Sequence, residues 1–247
     1  MVIQHVKHWF VARANATRWK PIVEWSHQQQ AQFHQVKDGS GFVIERRRSP
    51  GALRIDWGPS TRAYIQGQEL RMRCEFKLNP DLQMMVLDRQ LMEKLEVEVF
   101  DAYTDTLRTR VDTDTPEEMR WLVMFPKLAH MSSKLVRSHY GVLGVNRDLA
   151  SAWLEGRLSE GLAQASQDLI PPGRPFVMLC LRGNLYLRTT MPAPDLAQIQ
   201  AFVRLLELAG QEAQRVNLKV GDGSPWPTTA SIAWQNSNPE SAPPQGK

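Results

Sequence analysis

Apolar and polar residues alternate along much of residues 32–78, which is the pattern of strands that bury one side and expose the other. Two such runs, "QFHQVK" and "FVIERRR", flank the turn residues "DGSG" and predict a β-hairpin. The runs "GALRIDW", "RAYI" and "ELRMRCEFKL" extend it to an antiparallel meander of about four to five strands. In the last run the inward positions are Leu70, Met72, Cys74, Phe76 and Leu78, and the outward ones are Arg71, Arg73, Glu75 and Lys77.

After residue 78 the apolar spacing becomes helical. Asn79 suits a helix cap and Pro80 a first helical position, so a long helix is predicted from there to about Ala102. Its apolar residues recur at three- and four-residue steps: Leu82, Met85, Leu91, Leu95, Val99 and Ala102. Residues 132–169 predict further short helices, interrupted at Gly141, Gly144 and Gly156. The first 30 residues, which include "VIQHVKHWFVAR", predict one short helix.

The C-terminal third begins with a second hairpin. "FVMLCLRGNLYLRTT" holds two apolar runs around Gly183 and Asn184, a dipeptide suited to a tight turn. A closing helix is predicted from Pro194 to about Arg215. Residues 217–247 are rich in Pro, Gly and Ser and predict a disordered tail.

These elements predict an α+β fold in which an antiparallel β-meander is covered by a long helix, followed by a helical insert, a hairpin and a closing helix. One domain is expected over residues 1–216: mainly strands in 1–78, mainly helices in 79–169, and the hairpin plus helix in 175–216. The order of elements is similar to that of bacterial secretion-chaperone-like domains, from which the helical insert departs. The likeness lies in element order alone and implies no activity.

The stretch "RVDTDTPEEMRW" places four carboxylates, Asp112, Asp114, Glu117 and Glu118, within seven residues. A calcium loop would need a central glycine for its sharp turn, and this stretch has none. As a helix start, Thr115 is a suitable cap, Pro116 a suitable first residue, and Glu118 stands where it can bond back to the cap. The helix-start interpretation, with a helix from Pro116 to about Lys127, is therefore preferred to a cation site.

The formal net charge of +4 is unevenly distributed. Residues 1–78 carry 13 Lys and Arg against 6 Asp and Glu, whereas residues 79–168 carry 10 against 15. A basic first third beside an acidic middle indicates either an anionic partner or complementary surfaces packed within one domain.

Cysteine content and hydropathy indicate the cellular compartment. Cys74 and Cys180 each stand in an apolar run, where buried, reduced thiols are expected, although one disulfide after export is the alternative. No segment has the unbroken apolar length of a signal peptide or a membrane span. A soluble cytoplasmic protein is expected.

The strongest candidate site is a basic strip on the solvent-facing side of the predicted sheet. Two interpretations stay open: a solvated face balanced by Glu45, Asp56, Glu69 and Glu75, or a surface for an anionic partner. The candidate partner-binding residues are Arg46, Arg47, Arg48, Arg54, Arg62, Arg71, Arg73 and Lys77.

Local catalytic signatures are not seen. The phosphate-binding loop, the dinucleotide fingerprint and the Gly-x-Ser-x-Gly elbow are absent from the sequence. His5 and His8 are three residues apart but lack the third ligand that a catalytic zinc needs. No cofactor, metal or catalytic residue is therefore predicted.

The leading functional hypothesis is a non-enzymatic binding or adaptor module for a protein or another anionic partner. Two alternatives stay open. One is a hydrolase-type enzyme whose site is assembled by the fold, and the other is a weak nucleic-acid binder without sequence preference that uses the basic sheet face.

Overall fold

The computed structural model describes residues 18–47, 51–104 and 116–221 and confirms the α+β class. All strand pairs are antiparallel, and they form one sheet of eight strands. The strands are β1 (Gln32–Gln35), β2 (Phe42–Arg46), β3 (Leu53–Pro59), β4 (Gln68–Glu75), β5 (Met84–Asp88), β6 (Tyr140–Gly144), β7 (Phe176–Leu181) and β8 (Asn184–Thr190).

Seven helices lie within the described ranges. They are α1 (Lys20–Gln28), α2 (Arg89–Thr104), α3 (Glu117–Met124), α4 (Lys134–His139), α5 (Arg147–Leu154), α6 (Arg157–Asp168) and α7 (Leu196–Gly221). None of them combines the length and the hydrophobicity that crossing a lipid bilayer requires.

The C-terminal hairpin lies inside the sheet. The strand order is β1-β2-β3-β4-β8-β7-β5-β6, so β7 and β8 separate β4 from β5, the next strand along the chain. Seven residue pairs join β4 to β8, from Glu69 opposite Thr190 to Glu75 opposite Asn184. The meander at one end of the sheet is thereby joined to the β5-β6 pair at the other.

Each face of the sheet has its own hydrophobic core. On one face α1 and α4 to α7 bury a cluster whose largest members include Trp153 and Phe202. On the opposite face α2 and α3 pack only on the β5-β6-β7 side, around Leu95 and Trp121. Among the described residues, helices cover the second face at one end and leave its β2-β3-β4-β8 part, called the uncovered face below, to polar side chains.

The predicted long helix from Pro80 is wrong in its first part, because residues 84–88 form β5 and the helix begins at Arg89. All five residues of β5 are buried. Met84 and Val86 enter one core, while Met85 and Leu87 enter the other. A strand that is buried on both faces has no polar side and so lacks the alternation that reveals a strand.

Two other predicted elements are also wrong. Residues 140–144 were expected within a helical region but form edge strand β6, in which a side chain on Gly141 would overlap Met92. "RAYI" was expected to be a strand but belongs to a loop, residues 60–67, that carries Tyr64 and Ile65 into the second core.

Both predicted hairpins and the closing helix are confirmed. The second hairpin turns at Arg182 and Gly183, one residue earlier than expected, with φ of 50° and 78°. The closing helix runs six residues past Arg215 to Gly221. "VIQHVKHWFVAR" and residues 222–247 lie outside the described ranges, and the predicted domain limits stay a prediction.

Both cysteines are buried and free, as expected. Burial raises the pKa of Cys74 to about 11 and that of Cys180 to about 12. The thiols stay protonated at neutral pH and are therefore weak nucleophiles.

Gly210 in α7 lies where the packing leaves no space for a side chain. A Cβ at this position would overlap the buried Phe76 ring. Gly210→Ala should therefore destabilise the fold by about 1–3 kcal/mol through overpacking, although Ala in a helix interior is normally favoured over Gly by about 1 kcal/mol. Urea denaturation would measure the change. Adding Phe76→Leu should recover part of the loss, and a stabilised Gly210→Ala single variant would contradict this packing.

Candidate functional site

The uncovered part of the sheet carries two rows of side chains that run across the strands. The pairing registers place Glu45, Arg54, Arg73 and Tyr186 in one row and Val43, Asp56, Arg71 and Arg188 in the next. Three of the predicted site residues, Arg54, Arg71 and Arg73, are thus brought together. Two arginine pairs stand directly opposite each other on neighbouring strands, which by itself disfavours sheet pairing.

The first row is the more exposed. Arg54 pairs with Glu45 at 2.6 Å and with Asp56 at 2.9 Å, and its side chain is 49% exposed. Arg73 pairs with Glu75 at 3.0 Å and is 47% exposed. Such exposed pairs contribute little to stability and open readily.

The second row is anchored on a buried carboxylate, Glu69, which is fully inaccessible to solvent. Arg188 Nη1 donates to Glu69 Oε1 at 2.7 Å, and Arg71 Nη1 lies 3.8 Å from Glu69 Oε2. Ser60 Oγ and the Thr61 amide also donate to Oε2, both at 3.3 Å. Glu69 thereby holds the start of the 60–67 loop against the sheet.

Strand β8 supplies two residues that the sequence analysis missed, Tyr186 and Arg188. "NLYLRTT" alternates visibly, but only the pairing of β4 with β8 shows that its outward residues continue the basic strip. The Arg73 guanidinium lies 5.9 Å from the centre of the Tyr186 ring, within cation–π range.

Arg62 lies in the 60–67 loop and binds a second buried carboxylate, Glu118. Arg62 Nε donates to Glu118 Oε1 at 2.6 Å, and the Tyr64 hydroxyl donates to the same oxygen at 2.5 Å. Burial and the Glu118 charge together raise the pKa of Tyr64 above its ordinary value, so its hydroxyl remains a donor. These bonds tie the loop to α3.

The helix predicted at the acidic stretch is confirmed as α3, but its first turn differs. Pro116 occupies the cap position and the first helical residue is Glu117. Thr115, Asp112 and Asp114 lie outside the described residues. Glu118 is 1% exposed and accepts from Arg62 and Tyr64, whereas the sequence suggested that it would cap the helix.

The other predicted site residues lie elsewhere. Arg46 shares the helix-covered face with Ile44 and pairs with Glu207 of α7 at 2.6 Å. Arg47 follows β2 and is exposed. Lys77 lies two residues beyond the end of β4, with φ of 52°. Arg48 falls outside the described ranges.

The uncovered face is therefore mixed in charge. Its arginines are Arg54, Arg71, Arg73 and Arg188, and its carboxylates are Glu45, Asp56, Glu69 and Glu75. Guanidinium groups offer planar, multiple hydrogen-bond donors that suit carboxylates. The face can exchange its own exposed ion pairs for those of another molecule. Within the described ranges no three His, Cys, Asp or Glu side chains are grouped so that they could hold a metal ion.

Glu118→Gln tests the buried pair. The substitution removes the charge that compensates Arg62 and should lower the free energy of unfolding by about 2–3 kcal/mol. The loss is somewhat smaller than that expected on breaking a fully buried ion pair, because Arg62 is 24% exposed. Glu117→Gln is the matched control, because Glu117 is 29% exposed and pairs with Arg120 on the surface. Its effect should stay below about 0.5 kcal/mol. Chemical denaturation of both variants gives the comparison, and equal losses would show that Glu118 has no special role.

No protein-family model matches the chain, and comparison with curated proteins finds no match. The arginines opposed across β3-β4 and β4-β8 are features of the strand register itself.

Proposed function

We propose that the chain is a non-enzymatic binding module that docks a protein partner on the uncovered face of the sheet. The supporting observation is the direct opposition of Arg54 with Arg73 and of Arg71 with Arg188. Opposed like charges cost stability in a sheet, and residues that break a local folding rule concentrate at functional sites.

The chemistry of the face suits a protein interface. Arginine and tyrosine are enriched in such interfaces, and Tyr186 stands beside Arg73 at the border of the second core. Arg54 and Arg73 are half-exposed, so a partner's carboxylates can replace Glu45 or Glu75 at little cost. The buried Glu69 keeps Arg71 and Arg188 in place before a partner arrives.

Mixed charge favours a protein over a nucleic acid. Four arginines share this face with four carboxylates, so a phosphate backbone would approach acids and bases alike. A protein surface that carries both positive and negative side chains can instead complement the alternating charges of this face. The nucleic-acid alternative thus has less support than a protein partner.

Charge reversal at the two most exposed arginines tests the proposal. Arg54→Glu with Arg73→Glu should abolish capture of the partner in an affinity pull-down from the source cell, because like charges across an interface repel strongly. Arg71 is left intact, since a glutamate there would face the buried Glu69. The partner is identified by mass spectrometry and its affinity is then measured with purified proteins.

The control variant carries the same change in charge on the opposite layer. Arg157→Glu with Arg204→Glu alters exposed residues of α6 and α7 and should leave partner affinity within about twofold. Equal loss in both double variants, or no loss in either, would refute docking on this face. Fluorescence anisotropy with DNA and RNA provides the comparison with the nucleic-acid alternative, which requires binding that weakens steeply as salt rises.

A further inference from the structure

A groove of about 300 Å³ lies at the end of the sheet away from the meander, beside edge strand β6. Its walls come from the start of α2, the end of α4 and the segment between α3 and α4. Three cations line it, Arg89, Lys127 and Arg137, with Met92 and Val142 among the apolar residues. The groove contains no acidic lining residue from the described chain.

The groove belongs to an unusual part of the sequence. Residues 119–147 contain five Lys and Arg and no Asp or Glu, although the middle third as a whole is acidic. Two of these five cations, Lys127 and Arg137, line the groove, and Arg89 joins them from α2. The fold thus places several cations close together in a third of the chain that is acidic on average.

Arg89 is held in place by main-chain carbonyl groups. Its Nε donates to the carbonyl of Arg137 at 2.8 Å and its Nη2 donates to the carbonyl of Tyr140 at 2.8 Å. Neither bond neutralises its charge, and none of the hydrogen bonds among the described residues uses Nη1, which has two hydrogens to donate. The ion pairs among the described residues include neither Arg89 nor Arg137.

Within the described part of the chain, Lys127 is the one cation of the three with an acidic partner, Glu96 of α2, at 2.6 Å. The three lining cations and Glu96 together carry a formal charge of +2. A phosphate monoester carries about −1.5 to −2 at neutral pH and offers three acceptor oxygens. A carboxylate carries one negative charge, so the phosphoryl group matches the groove better in both charge and number of acceptors.

We propose that this groove binds a phosphate monoester. The phosphoryl oxygens accept from Arg89 and Arg137 and lie near Lys127, while the first carbon atoms of the ligand lie against Met92 and the partly buried Leu128. A volume of about 300 Å³ is at the small end of ligand sites, which suits one phosphoryl group with a short organic part. The site is separate from the uncovered sheet face and does not depend on its function.

Amide chemical-shift titration of the full chain with glycerol phosphate tests the inference. Saturable shifts should concentrate near Arg89, Leu128 and Gly141, with a dissociation constant of about a millimolar or below. Acetate at matched ionic strength is the control for a single negative charge. Parallel titrations with inorganic phosphate and with a short phosphoserine peptide show whether a small molecule or a phosphorylated segment is the better source of the group.

Arg137→Gln provides the decisive variant, because its side chain is exposed and Arg89 bonds only to its main chain. Loss of this charged donor should weaken glycerol phosphate binding by about tenfold. Arg147→Gln removes a charge from the same acid-free segment, outside the groove, and should change affinity less than about twofold. Thermal melts establish that both variants fold. Absence of saturable shifts, equal effects of the two variants, or equal binding of acetate would overturn the proposal.

Discussion

The pairing of β4 with β8 is the contact on which the rest of the structure depends. It inserts the C-terminal hairpin between β4 and β5, which are neighbours along the chain, and so makes a single sheet from two separate sets of strands. It also brings Arg188 to Glu69 and Tyr186 to Arg73. Both hydrophobic cores and the uncovered face follow from this one register, because shifting it by one residue would turn every side chain of β8 to the opposite face.

The local pattern predicted the strands that expose one side to solvent and missed β5 and β6, which are buried on both sides. Strand β7 is also buried on both sides, and it was predicted because it leads into a recognisable turn. Arg71 and Arg73 alternate with apolar residues, so β4 and its outward arginines could be read from the sequence. Strand β5 is apolar at four consecutive positions, Met84 to Leu87, and this run fits a buried helix as well as a strand. The contacts of Arg188 and Glu118 depend on residues 119 and 56 positions away, which no local spacing encodes.

The two cationic regions differ in how their charge is compensated. On the uncovered face Arg54 and Arg73 each pair with a carboxylate from the same sheet. That surface is close to neutral, although three of its four strands come from the basic first third of the chain. In the groove Arg89 is satisfied by main-chain carbonyls, which fix its position and leave its charge in place. A surface with internal ion pairs discriminates among partners by matching both signs, whereas a groove with an excess of cations attracts anions in general.

The 60–67 loop lies between the part of the sheet that is covered by helices and the part that is open. Glu69 binds the loop from β4, and Glu118 binds it from α3. Both carboxylates are buried, and a buried charge that loses its partner is strongly destabilising, so these two residues hold the loop against the fold. Loss of either buried carboxylate should therefore cost more stability than loss of an exposed arginine of the first row. Charge changes in the exposed first row should therefore cost the sheet less stability than changes at Glu69 or Glu118.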